Sequence, residues 1–258
     1  MTILQTIAVA FSMFSALPMP QVLWTKKNMR YALCAFPLIG VVIGIGCVGW
    51  IALCRVLKLP VLLRGAGLCL LPVWISGGIH LDGFADTCDA LASHATPEKR
   101  QEILGDPHLG AFAAIRLCCY FVASVALWCS VPRFDAATLS ALLLGFCLSR
   151  ALSGFAVATF PLAKNTGLAH AFSDAASSAN SARWLCILSV ALYAGMSVCG
   201  AAGAAMALAE IGVFFYYKRM AIRCFGGISG DLAGWFLQTA ELAMTAALVG
   251  IQVLEALI

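Results

Sequence analysis

Three aspartates, Asp82, Asp86 and Asp89, fall within eight residues of the run Gly77-Gly78-Ile79-His80-Leu81-Asp82-Gly83-Phe84-Ala85-Asp86-Thr87-Cys88-Asp89, in a chain with only twelve acidic residues. At spacings of four and three they share one face of a helix, within an arc of roughly 60°. Carboxylates that close repel, and the repulsion pushes at least one of them toward its protonated form. A bound divalent cation removes that penalty. Hard oxygen ligands suit Mg2+ or Mn2+ over zinc or copper, and Mg2+ commonly completes its shell with water and substrate phosphates. The pattern points to a phosphorylated substrate and metal-assisted group transfer. The plainer alternative is a solvated acidic helix start just outside a membrane.

Two further polar insertions interrupt an otherwise apolar chain. Asp106-Pro107-His108-Leu109-Gly110-Ala111-Phe112 precedes an apolar run, and by itself it fits a capped helix entrance as well as a site. Arg223-Cys224-Phe225-Gly226-Gly227-Ile228-Ser229-Gly230-Asp231 has glycines that would let backbone approach a ligand, and Arg223 offers a planar cationic fork for phosphate. Its plainer alternative is a flexible re-entrant loop without a ligand. Inside the apolar runs stand Arg150, Glu210 and Glu241, which are costly in hydrocarbon and must face the bundle interior, a wet cavity or a partner. Glu210 lies near enough in sequence to pair with Lys218 or Arg219 and is left out of the site. His94 and His170 look like ordinary loop residues.

The elements that must position these groups are membrane helices. The chain has 258 residues, 62% hydrophobic and 11% charged, against roughly 25% charged in an ordinary soluble domain. Apolar runs near the length that spans a bilayer recur from Ala35 to Leu53, Val61 to Ile79, Gly110 to Val131, Ala136 to Leu162, Trp184 to Tyr217 and Leu232 to Leu254. The fifth is long enough for two spans turning at Cys199-Gly200-Ala201-Ala202-Gly203. The expected fold is an all-α polytopic helical bundle of about seven spans, with residues 1–258 forming a single membrane-embedded transferase domain. Met1 to Ala16 lacks a basic leader and a small-residue cleavage site, so it reads as a retained helix, interfacial or partly buried.

Alternating the spans puts Lys26, Lys27, Arg30, Lys99, Arg100, Lys164, Arg183, Lys218, Arg219 and Arg223 on one face and Arg55, Lys58, Arg64 and Arg133 on the other. The first face is cytoplasmic by the positive-inside rule. The segments beginning at His80, at Asp106 and ending at Asp231 all emerge there, so distant motifs can share one pocket, as a two-substrate transfer requires. The net charge of +4 is dispersed, which gives no nucleic-acid footprint. Twelve scattered cysteines without a C-x-x-C pair read as small apolar residues, not as a zinc site or disulfide framework.

At these residues the chain resembles the cobalamin synthase family, the adenosylcobinamide-GDP ribazoletransferases of bacteria and archaea. The resemblance rests on the run from Gly77 to Asp89, on Asp106 to Phe112, on Ser149-Arg150, on Gly226-Gly227-Ile228-Ser229-Gly230-Asp231 and on Phe36-Pro37-Leu38-Ile39-Gly40, and so covers nearly the whole chain. It implies a multi-pass enzyme of the cytoplasmic membrane, active-site loops on its cytoplasmic face. The reaction it implies joins adenosylcobinamide-GDP with α-ribazole or its 5′-phosphate by attack of the ribose 3′-hydroxyl on the pyrophosphate. GMP departs, with Mg2+ as the expected cofactor. Asp82, Asp86 and Asp89 are then the expected catalytic and metal-holding acids, with Asp231 completing the metal set and Asp89 the first choice as base. His80, Asp106, His108, Arg150, Arg223, Gly226, Gly227, Ser229, Gly230 and Glu241 are the expected substrate contacts. Partners would be the bilayer and other membrane enzymes of the corrinoid pathway, with no nucleic acid. Two positions depart from the family pattern: Gln238 stands where an acid is expected and His108 where arginine is usual.

Two other readings compete. A CDP-alcohol phosphotransferase also uses spaced aspartates and a nucleotide leaving group, but it requires Asp-Gly-x-x-Ala-Arg, and Asp82-Gly83 is followed here by Phe84-Ala85-Asp86. A transporter would place its polar groups at the midplane of paired repeats, whereas no repeat is evident and the strongest motif lies at the end of a span.

Overall fold

The structure, a computed structural model, describes residues 3–163 and 178–257; Lys164 and His170 lie outside the described residues. The elements are helical: α1 (Ile3–Phe14), α2 (Lys26–Met29), α3 (Ala32–Val56), α4 (Val61–Ser76), α5 (Ile79–Ala92), α6 (Pro97–Ile103), α7 (Ala111–Ser130), α8 (Ala136–Thr159), α9 (Ser178–Val198), α10 (Ala201–Phe225) and α11 (Gly230–Leu257). Their ends follow from local chemistry. Asp135 caps α8 by accepting from the Thr138 amide at 2.8 Å, Ser229 does the same for α11 through Leu232 at 3.3 Å, and Pro97 opens α6.

Five helices, α3, α7, α8, α9 and α11, are long and apolar enough to cross a membrane, or six crossings if α4 and α5 are taken as one bent unit. The protein is a multi-pass helical membrane bundle, with five or six crossings among the described residues against the about seven expected. The reasons are physical: α4 has 16 residues, short of a full crossing, and α10 carries Glu210, Lys218, Arg219 and Arg223. Helix α8 is the axis, 78% of its apolar window being buried against 22% for the peripheral α7 and α9. The first segment forms α1, partly buried as expected.

All three polar insertions meet at one end of the bundle. Gly77 and Gly78 both take positive φ, 68° and 80°, a conformation open to glycine at little cost. This paired left-handed turn bends α5 by 98° from α4, so α5 runs across the ends of the spans. Its His80 meets the first turns of α11 at Gly234, and its Asp89 meets the start of α7 at Gly110. Helix α6 continues along the same face, where Arg100 and Gln101 donate to the carbonyls of Cys224 and Phe225 that end α10. The loop after α10 joins the exit of α8: Ile228 donates to Pro161 at 2.8 Å and accepts from Ala163 at 2.9 Å. At the opposite end three of the four expected basic residues have structural work. Arg55 donates to the Phe134 carbonyl, Arg64 lies over the Phe134 ring, and Arg133 pairs with Asp135 and Glu255.

In the bundle interior Arg150 of α8 forms an ion pair with Glu241 of α11. Arg150 also donates to Ser149 Oγ at 3.0 Å and to the Phe146 carbonyl at 3.2 Å. Glu210 of α10 is fully buried, and neither carboxylate oxygen has a hydrogen-bond partner among the described residues. The expectation that it pairs with Lys218 or Arg219 is not met, because it points into the core while Lys218 covers the Phe160 ring. Tyr120 of α7 donates to Gln238 of α11 at 2.5 Å, so the amide that replaces an expected acid ties two helices together. Removing one member of the buried pair strands a charge. Glu241→Ala therefore costs about 3–5 kcal/mol, whereas Glu255→Ala, at the half-exposed Arg133, costs less than about 1 kcal/mol; denaturation of both variants in detergent measures the difference.

Candidate active site

Helix α5 crosses α11 with backbone against backbone. A Cβ on Gly83 would lie 2.7 Å from the Cα and carbonyl oxygen of Asp231, and one on Gly234 would lie 2.7 Å from the carbonyl of His80. The contact fixes register: Asp82 on one helix and Asp231 on the other border the same space. The three α5 acids lie on one helix as expected. Burial first, then the charges of Asp82, Asp231 and Asp89, push the Asp86 carboxyl up to about 6. Asp86 thus feels the charges of its three neighbours in addition to its own burial.

The four do not have equal freedom. Asp89 Oδ1 accepts from the Ala113 amide at 3.3 Å, and its carboxylate fills the space where a side chain on Gly110 would stand. It thus caps the start of α7 from another helix, satisfying amides left open there. Asp231 accepts from Ser229 Oγ at 3.4 Å. Among the described residues no three His, Cys, Asp or Glu side chains are close enough to close around one metal ion. The donor set nevertheless fits a hard cation held by one or two carboxylates, the usual Mg2+ arrangement in which water and substrate phosphates supply the rest.

Beside the acids lies a cavity of about 280 Å3, lined by α1, α3, α5, α8 and α11, with Asp82, Asp231 and Gly230 at its polar end and apolar side chains over most of its wall. His80 lines it as well; it is 6% exposed. Arg150 lies one turn below Ser153, and Glu241 one turn below Leu237, so their ion pair supports this cavity from beneath and does not reach the acidic face. Both stood among the expected substrate contacts.

The glycine-rich loop divides its residues between two tasks. Gly226 takes φ 74° and ends α10, and a Cβ on Gly227 would fall 2.5 Å from the Leu162 carbonyl carbon. These two serve the chain's own packing. Gly230 has nothing within 4 Å of its Cβ position, and Ser229 caps α11, so the start of a long helix opens beside Asp231. Asp106 and His108 form an exposed local turn, the His108 amide and ring both meeting Asp106 Oδ1, at 2.9 and 2.7 Å. The His108 amide first, then its ring, hold Asp106 below the usual carboxylate range. Arg223 is exposed on the last turn of α10. Arg116, on the second turn of α7, was missed by sequence reasoning; it comes close enough to Cys88 of α5 for its charge to act there. Its sole signal was a lone cation in an apolar run downstream of Asp106.

The comparisons converge on one family. The model for cobalamin-5-phosphate synthase matches residues 6–249. A protein of Lachnoclostridium phytofermentans named adenosylcobinamide-GDP ribazoletransferase is 40% identical over 95% of this chain and 94% of its own length. Proteins of the same name from Geobacillus kaustophilus, 32% identical over 91% of each chain, and Pseudomonas savastanoi, 30% identical over 84% of this chain and 87% of its own, are similar throughout. No solved structure matches. With acids, glycine-rich loop and buried pair spread across a match of this extent, the chain belongs to the cobalamin-5-phosphate synthase family.

Proposed function

We propose that this protein joins adenosylcobinamide-GDP with α-ribazole or its 5′-phosphate at the cytoplasmic face of a bacterial or archaeal membrane, releasing GMP and leaving adenosylcobalamin or its 5′-phosphate. The observation that carries the reading is the meeting of Asp82, Asp86 and Asp231 at the α5–α11 crossing, beside an apolar cavity. A pyrophosphate and an apolar aromatic base need that pairing of environments.

The ribose 3′-hydroxyl attacks the phosphorus nearer the corrinoid. The bond from that phosphorus to the bridging oxygen breaks, and GMP leaves with the oxygen. The hydroxyl proton passes to a carboxylate of the cluster. Asp89, the first choice from sequence, is engaged at the start of α7 and serves in this reading as an anchor for α5; Asp86 is the better-placed acceptor, because burial and its neighbours raise its affinity for a proton. Asp82 and Asp231, which border the same cavity, would hold Mg2+, which when bound would neutralise the pyrophosphate oxygens. The amides opening α11 and the open space at Gly230 favour phosphate at the same point. Arg223, exposed at the end of α10, and Arg116, whose charge reaches Cys88 of α5, are the cations assigned in this reading to departing GMP. The preponderance of Lys and Arg on this face supports the cytoplasmic assignment.

Purified protein in nanodiscs, given adenosylcobinamide-GDP and α-ribazole 5′-phosphate, releases GMP with a cobalamin product, and EDTA abolishes both. Asp82→Asn lowers turnover by roughly 10²–10³-fold. Absence of product from folded wild-type protein defeats the reaction; full activity of Asp82→Asn defeats the acidic site alone. Gly83→Ala wedges a methyl against the Asp231 backbone, and a shift near 1 Å between the acids costs roughly 10²-fold in turnover with helix content unchanged by circular dichroism.

A further inference from the structure

The cavity beside the acids has features that a pyrophosphate site does not need. Two aromatic rings and an imidazole follow one another along its wall: Phe14 and Phe36 have centroids 4.4 Å apart, and Phe36 and His80 5.7 Å. Val157 and Leu237 add aliphatic wall. His80 Nε2 is buried and has no hydrogen-bond partner among the described residues, which is costly unless a ligand supplies one. Asp82 and Asp231 border one end.

We propose that this cavity seats the aromatic base of α-ribazole, with its pyridine-type ring nitrogen on His80 Nε2 and its ribose toward Asp82 and Asp231. The assignment rests on the reaction proposed above and names which substrate goes where. At about 280 Å3 the space lies near the lower bound of ligand pockets, roughly 300–1,000 Å3, and suits a benzimidazole nucleoside. A corrin ring with its amide arms is far too large for it. Guanine carries donors and acceptors that this wall leaves unpaired. A lipid chain would fill the volume but leave the His80 nitrogen bare. With the base inserted, the ribose hydroxyls stand at the acidic end, where the attacking oxygen is required.

Two experiments test the assignment in the full-length protein in nanodiscs. A photoreactive azidobenzimidazole riboside, irradiated with wild-type protein and mapped by mass spectrometry, should label peptides of α1, α3, α8 or α11 around Phe14, Phe36, Val157 and Leu237. Excess α-ribazole should block that labelling and adenosylcobinamide-GDP should not. Labelling confined elsewhere overturns the assignment, as does labelling competed by lipid alone. In turnover assays Ala233→Leu and Val157→Phe narrow the cavity, and each raises KM for α-ribazole by about tenfold or more while KM for adenosylcobinamide-GDP stays within about twofold. His80→Phe keeps the ring and removes the nitrogen; it weakens α-ribazole about fivefold to tenfold but leaves inhibition by an indole riboside, which lacks the ring nitrogen, unchanged. Equal effects on both substrates, or none on α-ribazole, overturn the proposal. If wild-type protein forms no cobalamin product the reaction itself fails, whereas turnover with labelling elsewhere removes only the placement of the base.

Discussion

The contact between α5 and α11 at Gly83 and Gly234 is the constraint on which the site depends. Helix axes approach this closely only where side chains are missing from both surfaces. Here the missing side chains stand one residue from Asp82 on α5 and three from Asp231 on α11. A larger residue at either position would separate the two acids before it disturbed any helix. The 98° bend at Gly77–Gly78 is the second half of the same device. It takes α5 off the axis of α4 and lays it across the starts of α7 and α11, where the Asp89 carboxylate fastens its far end. An acidic helix is thus held at both ends against a scaffold that contributes Asp231 to the cluster.

The interior follows a related logic with opposite chemistry. Arg150 and Glu241 neutralise each other where water is excluded, and Ser149 and the Phe146 carbonyl take up more of the guanidinium's donors. Such a pair contributes little net stability by itself, but breaking it strands a buried charge, so it holds α8 and α11 in the register that joins them. The cavity one turn above inherits that geometry. Glu210, buried on the neighbouring α10, has no hydrogen-bond partner among the described residues.

Much of this was legible in the chain. The apolar runs gave the helices, the alternation of basic residues gave the common face, and the i, i+4, i+7 spacing put Asp82, Asp86 and Asp89 on one helix. What could not be read has physical causes. Spacing reports which face a carboxylate occupies but not what it meets, so Asp89 was indistinguishable from its neighbours until α7 was seen to start beneath it. Sequence distance suggested Lys218 for Glu210, yet an i+8 separation on a helix leaves the intervening turns to decide which side faces the core. Paired glycines signalled an irregular backbone and were expected to approach a ligand; Gly226 instead turns the chain out of α10, and the close approach at Gly227 is to the chain itself. Arg116 had no motif to announce it. The cavity was invisible because its wall comes from five helices, each contributing residues unremarkable in their own run.

In the proposed reaction, the position of the site at the end of the bundle follows from what each substrate group requires. Pyrophosphate chemistry needs water, a hard cation and charged oxygens, and none of these is stable within the hydrocarbon layer. An apolar base needs walls, and the densest apolar walls in this protein are the packed spans. The boundary where α1, α3, α8 and α11 end and α5 crosses them offers both within a few residues: Val157 and Leu237 on one side of the cavity, Asp82 and Asp231 on the other. Moving the acids deeper would leave them uncompensated, and moving the apolar wall outward would dissolve it into loop. On that proposal the reaction is confined to a thin layer, and α5, turned parallel to that layer, is the element that makes it a site.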